Sequence, residues 1–243
     1  MNKIYIDQNI LTRLDNNNNK TNLDIILNSK KNKVKYYYSF GHIYDFLSIK
    51  DEGYLKCELE KITKIVENNY ISYRSNKKHI KMVKEKIKPI SQIEQIKEKK
   101  YDILDIAKGI LKDYDLYREY KSTNQEFKSF IISDISKFAR GKLFGISSIT
   151  YDFLNLFESV EGKNDIKDRP NTKLTNINAD YFHCYFATCC DCFVTNDDRL
   201  FNKVKKLYEL LNDCEVRKAT DTKYINTKVY KLDEFIKKLK NDW

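Results

Sequence analysis

Proline and glycine are scarce in this sequence, with 2 prolines and 6 glycines among 243 residues. Their scarcity excludes collagen-like repeats and argues against long flexible linkers. No apolar run reaches the roughly 18 residues that a membrane-spanning helix needs. Because 41% of the residues are apolar and 33% are charged, we expect a globular protein made of one large domain or two small ones.

Histidine is also rare, with 3 residues, and the 6 cysteines do not form a recognisable zinc motif. Cys189 and Cys192 have C-x-x-C spacing, but the sequence offers no second ligand pair at zinc-site spacing. We therefore expect buried, reduced thiols. Asp7 interrupts the N-terminal apolar run, which argues against a secretory signal, and we expect a cytoplasmic protein.

Positive charge is in excess, with 45 lysines and arginines against 35 acidic residues, a net charge of +10. Such an excess favours a polyanionic partner. It is densest in a lysine strip at residues 77–88, made of Lys77, Lys78, Lys81, Lys84, Lys86 and Lys88. We expect this strip to contact phosphates of a nucleic acid; the alternative is a solvated helix face.

Short apolar runs alternate with helical patterns at the two ends of the chain. The predicted strands cover residues 3–6, 34–38, 192–195 and 228–231, and each leads towards an amphipathic segment. This alternation predicts an α/β fold, with a central parallel sheet between two layers of helices.

The middle of the chain has a helical pattern. Leu55, Leu59, Ile62 and Val66 recur at helical spacing, and similar series begin at Ile103 and at Phe127. We therefore predict an α/β core formed by residues 1–50 and 172–243, with a large all-α insertion at residues 51–171. The insertion is suited to clamp a substrate, to form a homodimer or to dock an inhibitor protein.

Four aspartates occupy related positions in this scheme. Asp7 and Asp197 follow strands, whereas Asp45 and Asp180 lie on helices next to strands. Since the carboxyl ends of parallel strands line one crevice, we expect the four carboxylates to converge there. Their mutual repulsion requires a counter-charge, and oxygen ligands suit Mg²⁺ or Mn²⁺. Taken singly, each aspartate could instead be a helix cap.

Three motifs resemble those of the PIN-domain ribonucleases. Residues 4–11 form an apolar strand followed by the pattern D-x-N-x-L. Residues 38–45 are similar to the form Y-S-x-x-H-I-x-D of a bacterial PIN-like branch. Residues 178–197 resemble the second half of that family, with a helix that begins near Asp180 and an apolar strand that ends in T-x-D.

The resemblance implies a PIN-like fold and a metal-dependent endoribonuclease acting on single-stranded or structured RNA, as a toxin or a host-defence effector. The catalytic and metal-binding residues it implies are Asp7, Asp45, Asp180 and Asp197. Supporting residues are Asn9, Ser39, Thr195, His42, His183 and Asp198. The two histidines are either partners of the site or ordinary helix histidines. Asp45 stands where many members have the longer glutamate. Asp198 adjoins Asp197, so the role assigned to Asp197 could belong to Asp198 instead.

Two other classes of function compete with this one. The first is an inactive nucleic-acid-binding or assembly protein on a PIN-like scaffold. The presence of four mutually repelling acids argues against it, because an inactive site does not need them. The second is a flavodoxin-like phosphotransfer domain, which should have a phosphate-binding glycine loop that the sequence lacks.

Overall fold

The computed structural model describes residues 2–14, 20–32, 34–47, 49–74, 79–84, 128–129, 132–133 and 174–241. The strands are β1 (Lys3–Ile6), β2 (Lys35–Ser39), β3 (Asn69–Arg74), β4 (His79–Lys84), β5 (Cys192–Val194) and β6 (Lys228–Tyr230). The helices are α1 (Gln8–Arg13), α2 (Lys20–Ser29), α3 (Phe40–Leu47), α4 (Glu52–Val66), α5 (Leu174–Ala187), α6 (Asp198–Asn212), α7 (Cys214–Thr220) and α8 (Leu232–Asn241).

The strands form one sheet in the order β4-β3-β2-β1-β5-β6. All neighbouring strands are parallel except β3 and β4, which pair antiparallel at one edge. Successive crossovers run from β1 towards β2 on one side and from β5 towards β6 on the other. The switch point therefore lies between β1 and β5, and in such sheets the crevice at this point is the usual ligand site.

The central strands are buried on both faces. Ile4 and Ile6 of β1 belong to a core cluster to which α1, α2, α4 and α8 also contribute. Tyr5 points to the opposite face, as the two-residue period of a strand requires, and its ring lies 5.6 Å from that of His183 in α5. Each fully buried Ile stabilises the fold by about 2 kcal/mol. The predicted α/β class, with a parallel sheet flanked by helices, is thus confirmed.

The prediction of purely helical structure from residue 51 onward is wrong for β3 and β4. Residues 79–82 alternate polar and apolar side chains with a period of two, which is a strand pattern, and Val83 interrupts the alternation. Helix α4 matches the predicted periodicity, and Asp51 caps it by accepting a hydrogen bond from the N–H of Tyr54. The predicted helices that begin at Ile103 and Phe127 lie largely or wholly outside the described residues.

The chain divides into two compact units. The first consists of Met1–Lys97, Thr175–Val204 and Asn226–Trp243, and the second of Glu98–Leu174 and Lys205–Ile225. The first unit contains the whole sheet, and it extends past the predicted boundary at residue 50 because β3 and β4 belong to the sheet. Among the residues that the structure describes, no helix is both long and apolar enough to cross a membrane.

Candidate active site

Asp7 lies where β1 ends and α1 begins. Its backbone occupies the N-cap position of α1, yet its side chain makes no capping hydrogen bond. Its N–H donates to the carbonyl of Val194, which ties the end of β1 to β5. The carboxylate is buried, with 4% of the residue exposed. Because the carboxylate caps no helix, its burial needs another explanation.

The hydroxyl of Thr195 holds the Asp7 carboxylate in place. Thr195 Oγ1 donates to Asp7 Oδ2 at 2.6 Å. The same oxygen accepts from Asn9 Nδ2 at 3.3 Å and from the N–H of Asp197 at 3.1 Å. The hydroxyl thus uses its one proton and both lone pairs. Asn9 and Thr195, both predicted to support the site, are therefore connected to Asp7.

Helix α3 begins with a reciprocal cap formed by Ser39 and His42. Ser39 Oγ accepts from the N–H of Gly41 at 3.1 Å, and the N–H of Ser39 donates to His42 Nδ1 at 3.2 Å. This is a capping box in which histidine replaces the usual Glu or Gln. Because Nδ1 accepts, Nε2 carries the proton and donates to the Ile6 carbonyl at 2.7 Å. Burial lowers the pKa of His42 well below its ordinary value, so the ring is neutral.

Gly41 allows α3 and α5 to approach each other closely. A Cβ at this position would lie 2.9 Å from Nδ1 and 3.0 Å from Cε1 of His183. Such distances are too short for any side chain, so the absence of a Cβ makes room for the His183 ring. His183 is 1% exposed.

His183 and two aspartates converge beside the carboxyl ends of β1 and β5. His183 Nε2 lies 2.8 Å from Asp45 Oδ2 and 3.8 Å from Asp7 Oδ1. One ligand atom from each of these three residues lies within 4.8 Å of the others. Asp7 and His183 are buried, whereas the Asp45 side chain is 25% exposed. Asp45 is therefore the member of this group that solvent can reach.

The electrostatics of the group show an excess of negative charge. Burial, with Asp45 and Asp197 nearby, raises the pKa of Asp7 from 3.8 to about 6 although His183 opposes the rise. Burial also raises the pKa of Asp180 well above its ordinary value, and Asp7 and Asp45 add to the rise. For His183 burial opposes protonation, but the three aspartates outweigh it and raise its pKa to about 9. One imidazolium does not neutralise the site.

Asp180 and Lys203 extend the site along α5 and α6. Asp180 is partly buried and lies three residues before His183, so the two side chains share a helix face. Lys203, on α6, is 8% exposed, and its charge opposes the rise in the pKa of Asp180. Sequence reasoning missed Lys203, since α6 also carries the exposed Lys205 and Lys206.

The adjacent acids Asp197 and Asp198 have different surroundings. Asp197 is exposed, and its Oδ1 accepts from the N–H groups of Arg199 and Leu200 at 2.8 and 2.9 Å, which caps α6. Its charge still contributes to the raised pKa of Asp7. Asp198 Oδ1 instead forms an ion pair with Lys231 Nζ at 2.6 Å. Of the two, Asp197 is the acid coupled to Asp7.

A second buried polar cluster, which sequence reasoning also missed, joins α1 to α4. Glu58 is fully buried and accepts from Gln8 Nε2 at 2.9 Å and from Thr12 Oγ1 at 3.1 Å. Lys61 Nζ lies 2.6 Å from Glu58 Oε1. Because Gln8 directly follows Asp7, this cluster anchors the first turn of α1.

Two lysines of the lysine strip lie on a strand that is not next to the three-residue group, whereas Cys184 directly follows His183. Lys81 and Lys84 belong to β4, which β3 and β2 separate from β1, so the alternative of a helix face is wrong for residues 79–84. Lys77, Lys78, Lys86 and Lys88 lie outside the described residues. All six cysteines are free thiols, and Cys184, Cys190 and Cys192 are buried, as expected, whereas the expectation is wrong for the exposed Cys57 and Cys214. Burial raises the pKa of these three buried thiols.

A divalent cation fits the chemistry of this donor set. Two carboxylates and an imidazole nitrogen face one another, and the raised pKa values of Asp7 and Asp180 indicate that further positive charge would stabilise the site. Comparisons of the chain with protein-family models, with curated proteins and with solved structures found no match. The function of the chain is therefore inferred from the site itself.

Proposed function

We propose that this chain is a metal-dependent endoribonuclease of the PIN-like type. The observation that carries the proposal is the convergence of Asp7, Asp45 and His183 within 4.8 Å at the switch point of a parallel sheet. A phosphodiester is an anion, and a pocket of carboxylates repels it unless a cation is present. A bound Mg²⁺ or Mn²⁺ ion would offset the repulsion between the carboxylates and the phosphodiester and so allow hydrolysis.

A bound ion would polarise the phosphoryl oxygens and lower the pKa of a water molecule that attacks phosphorus. Asp7 and Asp45 hold the ion in this proposal. Thr195 fixes one oxygen of Asp7, which leaves the other facing His183. Asp180 adds negative charge on the neighbouring helix face, and Lys203 limits that charge. Asp197 lies at the exposed edge of the site, and its carboxylate also caps α6.

The three sequence motifs support the PIN-like assignment, because each lies on an element that borders this site. The D-x-N-x-L motif joins β1 to α1, and the T-x-D motif follows β5. The motif at residues 38–45 spans the end of β2 and most of α3. We propose RNA as the substrate, a cytoplasmic toxin or host-defence role, and an inhibitor protein or a second copy of the chain as further partners.

The proposal is tested by cleavage of single-stranded RNA, structured RNA and DNA with Mg²⁺, Mn²⁺ or EDTA. We expect EDTA-sensitive cleavage inside RNA. Asp45→Asn and Asp180→Asn should each lower the rate by about a hundredfold or more, as the loss of one electrostatic group does in other enzymes. Asp24→Asn, an exposed aspartate on α2, is the matched control and should retain full activity.

Two outcomes would contradict the proposal. The first is the absence of cleavage by folded wild-type protein with either metal. The second is undiminished cleavage by both active-site variants. Salt-sensitive RNA binding without cleavage would favour the inactive nucleic-acid-binding protein instead. Cleavage of DNA alone would keep the metal chemistry but contradict the ribonuclease assignment.

A further inference from the structure

The hydroxyl of Tyr5 is the centre of a buried hydrogen-bond network that nuclease chemistry does not by itself explain. Tyr5 is fully buried in the middle of β1. Its OH lies 2.5 Å from Ser39 Oγ, 2.8 Å from His183 Nδ1 and 3.3 Å from His42 Nδ1. A buried hydroxyl costs free energy unless it is hydrogen-bonded, and here it meets side chains from two helices and a strand.

This network determines which nitrogen of His183 faces the carboxylates. Nδ1 is engaged by Tyr5, so Nε2 is the atom that points to Asp45 and Asp7. When Nδ1–H donates to the Tyr5 oxygen, the Tyr5 O–H donates to Ser39 Oγ, since His42 Nδ1 already accepts from the N–H of Ser39. In that arrangement a metal ion that displaces the proton on Nε2 meets the lone pair of this nitrogen.

The ring of His183 is also held sterically. The backbone of α3 at Gly41 lies against the Nδ1–Cε1 edge of the ring, where even a Cβ would approach within 2.9 Å. Tyr5 packs against the same ring with a centroid distance of 5.6 Å in an edge-to-face arrangement. The ring therefore has one orientation, which hydrogen bonding and packing both favour.

A histidine whose ring is held by a hydrogen bond to its other nitrogen is typical of metal-binding sites. A ligating histidine usually donates its other ring N–H to a neighbouring acceptor, which fixes the tautomer and the ring orientation. Imidazole nitrogen is a good ligand for first-row transition metals, whereas Mg²⁺ prefers an all-oxygen shell. The sequence alone, with its four aspartates, pointed to oxygen ligands only.

We propose that Tyr5 is a positioning residue that presents His183 Nε2 to the gap between Asp7 and Asp45, so that the site binds a transition-metal ion through one nitrogen and two carboxylates in preference to Mg²⁺. This inference rests on the proposed function, since the same three side chains hold the ion there. It adds the histidine as a ligand, the class of ion and the residue that selects the ligating nitrogen.

The experiment uses the full chain, stripped of metal and titrated with Mn²⁺ as the probe. Electron spin-echo envelope modulation of the Mn²⁺ complex should show coupling to a directly bound ¹⁴N nucleus in the wild type. That coupling should be absent in His183→Gln. Calorimetric titration should show tighter binding of Mn²⁺ than of Mg²⁺ by the wild type, and the difference should disappear in His183→Gln.

Tyr5→Phe tests the positioning role. Losing the partner of a metal-ligating histidine costs about 10- to 100-fold in metal affinity, so the dissociation constant for Mn²⁺ should rise by that factor while the one for Mg²⁺ changes little. The matched control is Tyr36→Phe on β2. Tyr36 is also buried, and its hydroxyl bonds to Ser29 Oγ at 2.6 Å, away from the site. This control should retain both the Mn²⁺ affinity and the nitrogen coupling.

The outcomes separate this inference from the proposed function. Metal-dependent RNA cleavage by a wild type that lacks nitrogen coupling would overturn the inference and leave the nuclease proposal intact. Nitrogen coupling without any cleavage would support the inference and overturn the nuclease proposal. Equal affinities for Mn²⁺ and Mg²⁺ would overturn the inference, and so would unchanged Mn²⁺ affinity in a folded Tyr5→Phe variant. The wild-type spectrum decides the case even if a variant fails to fold.

Discussion

Replacing Asp7 with asparagine should make the metal-free protein more stable at pH 8, although it removes a residue of the proposed active site. Asparagine has nearly the shape of a protonated aspartate, and its Oδ1 can accept the hydrogen bond that Thr195 donates at 2.6 Å. Asp45 remains 2.8 Å from His183 Nε2, so the histidine keeps its nearer partner. The substitution therefore removes one buried negative charge and little else.

The magnitude follows from the pKa of Asp7. Between pH 3.8 and about 6 the folded protein retains a proton on Asp7 that the unfolded chain has released. The unfolded state then binds fewer protons, so the free energy of unfolding falls as pH rises through this window. A pKa raised from 3.8 to about 6 corresponds to about 3 kcal/mol. Asp7→Asn should raise the free energy of unfolding by up to this amount above pH 6 and should leave it unchanged below pH 3.8.

The assay is urea denaturation of wild type and Asp7→Asn in EDTA at several pH values from 4 to 8.5. The midpoints should separate as pH rises, with unchanged dependence of the unfolding free energy on urea concentration. Adding Mn²⁺ should stabilise the wild type and not the variant, since the variant lacks one ligand. Asp24→Asn on the exposed side of α2 should show neither effect.

Two results would refute the reasoning. One is a variant that is less stable than wild type at pH 8 in EDTA, which would mean that the ionised carboxylate stabilises the fold. The other is a difference that does not shrink between pH 8 and pH 4. Either would show that the charge of Asp7 is already compensated without a metal ion.

Three further substitutions probe the surroundings of the site. Gly41→Ala should destabilise the protein by about 1–3 kcal/mol and lower metal affinity, because the new Cβ would lie 2.9 Å from His183 Nδ1. Thr195→Val should cost about 1–3 kcal/mol and lower the cleavage rate, since Asp7 loses its donor. Asp197→Ser should keep the melting temperature, because serine still caps α6, yet it should lower the rate.

Each of these has a control at a residue of the same type outside the three-residue group. Gly53→Ala adds a methyl group on α4 that meets only the Asp51 side chain at 3.2 Å. Thr63→Val removes an exposed hydroxyl that bonds within α4. Asp213→Ser changes the cap of α7, which belongs to the other compact unit. Equal effects of a substitution and its control on cleavage or metal binding would contradict the assigned role.

The sequence was most informative at the ends of strands. The runs at residues 4–6 and 192–194 are short and uniformly apolar, and such runs are buried as central parallel strands. A polar residue that follows them must lie at the sheet edge, so Asp7 and Thr195 could be predicted to meet there. Local caps were readable too, because Ser39 and Asp51 stand directly before helical periodicity.

The sequence was less informative where the strand pattern was short and charged. In the segment at residues 79–84 only the first four residues alternate with a period of two, and its lysines suggested a solvated helix or a phosphate-binding strip. Its pairing with residues 69–74 supplies the strand conformation that propensity alone does not dictate. Tertiary pairing therefore decided the edge of the sheet.

The sequence by itself determined the α/β class, the order of the central elements and the aspartates that their ends carry, because hydrophobic periodicity and strand-end geometry are local properties. The tertiary structure alone decided that His183 meets Asp45, 138 residues away, and that the Tyr5 hydroxyl contacts Nδ1 of His183 and so orients its ring. Those contacts depend on the rotation of α5 against α3 and on the missing Cβ of Gly41. Side-chain packing between helices sets both, and no spacing along the chain encodes it.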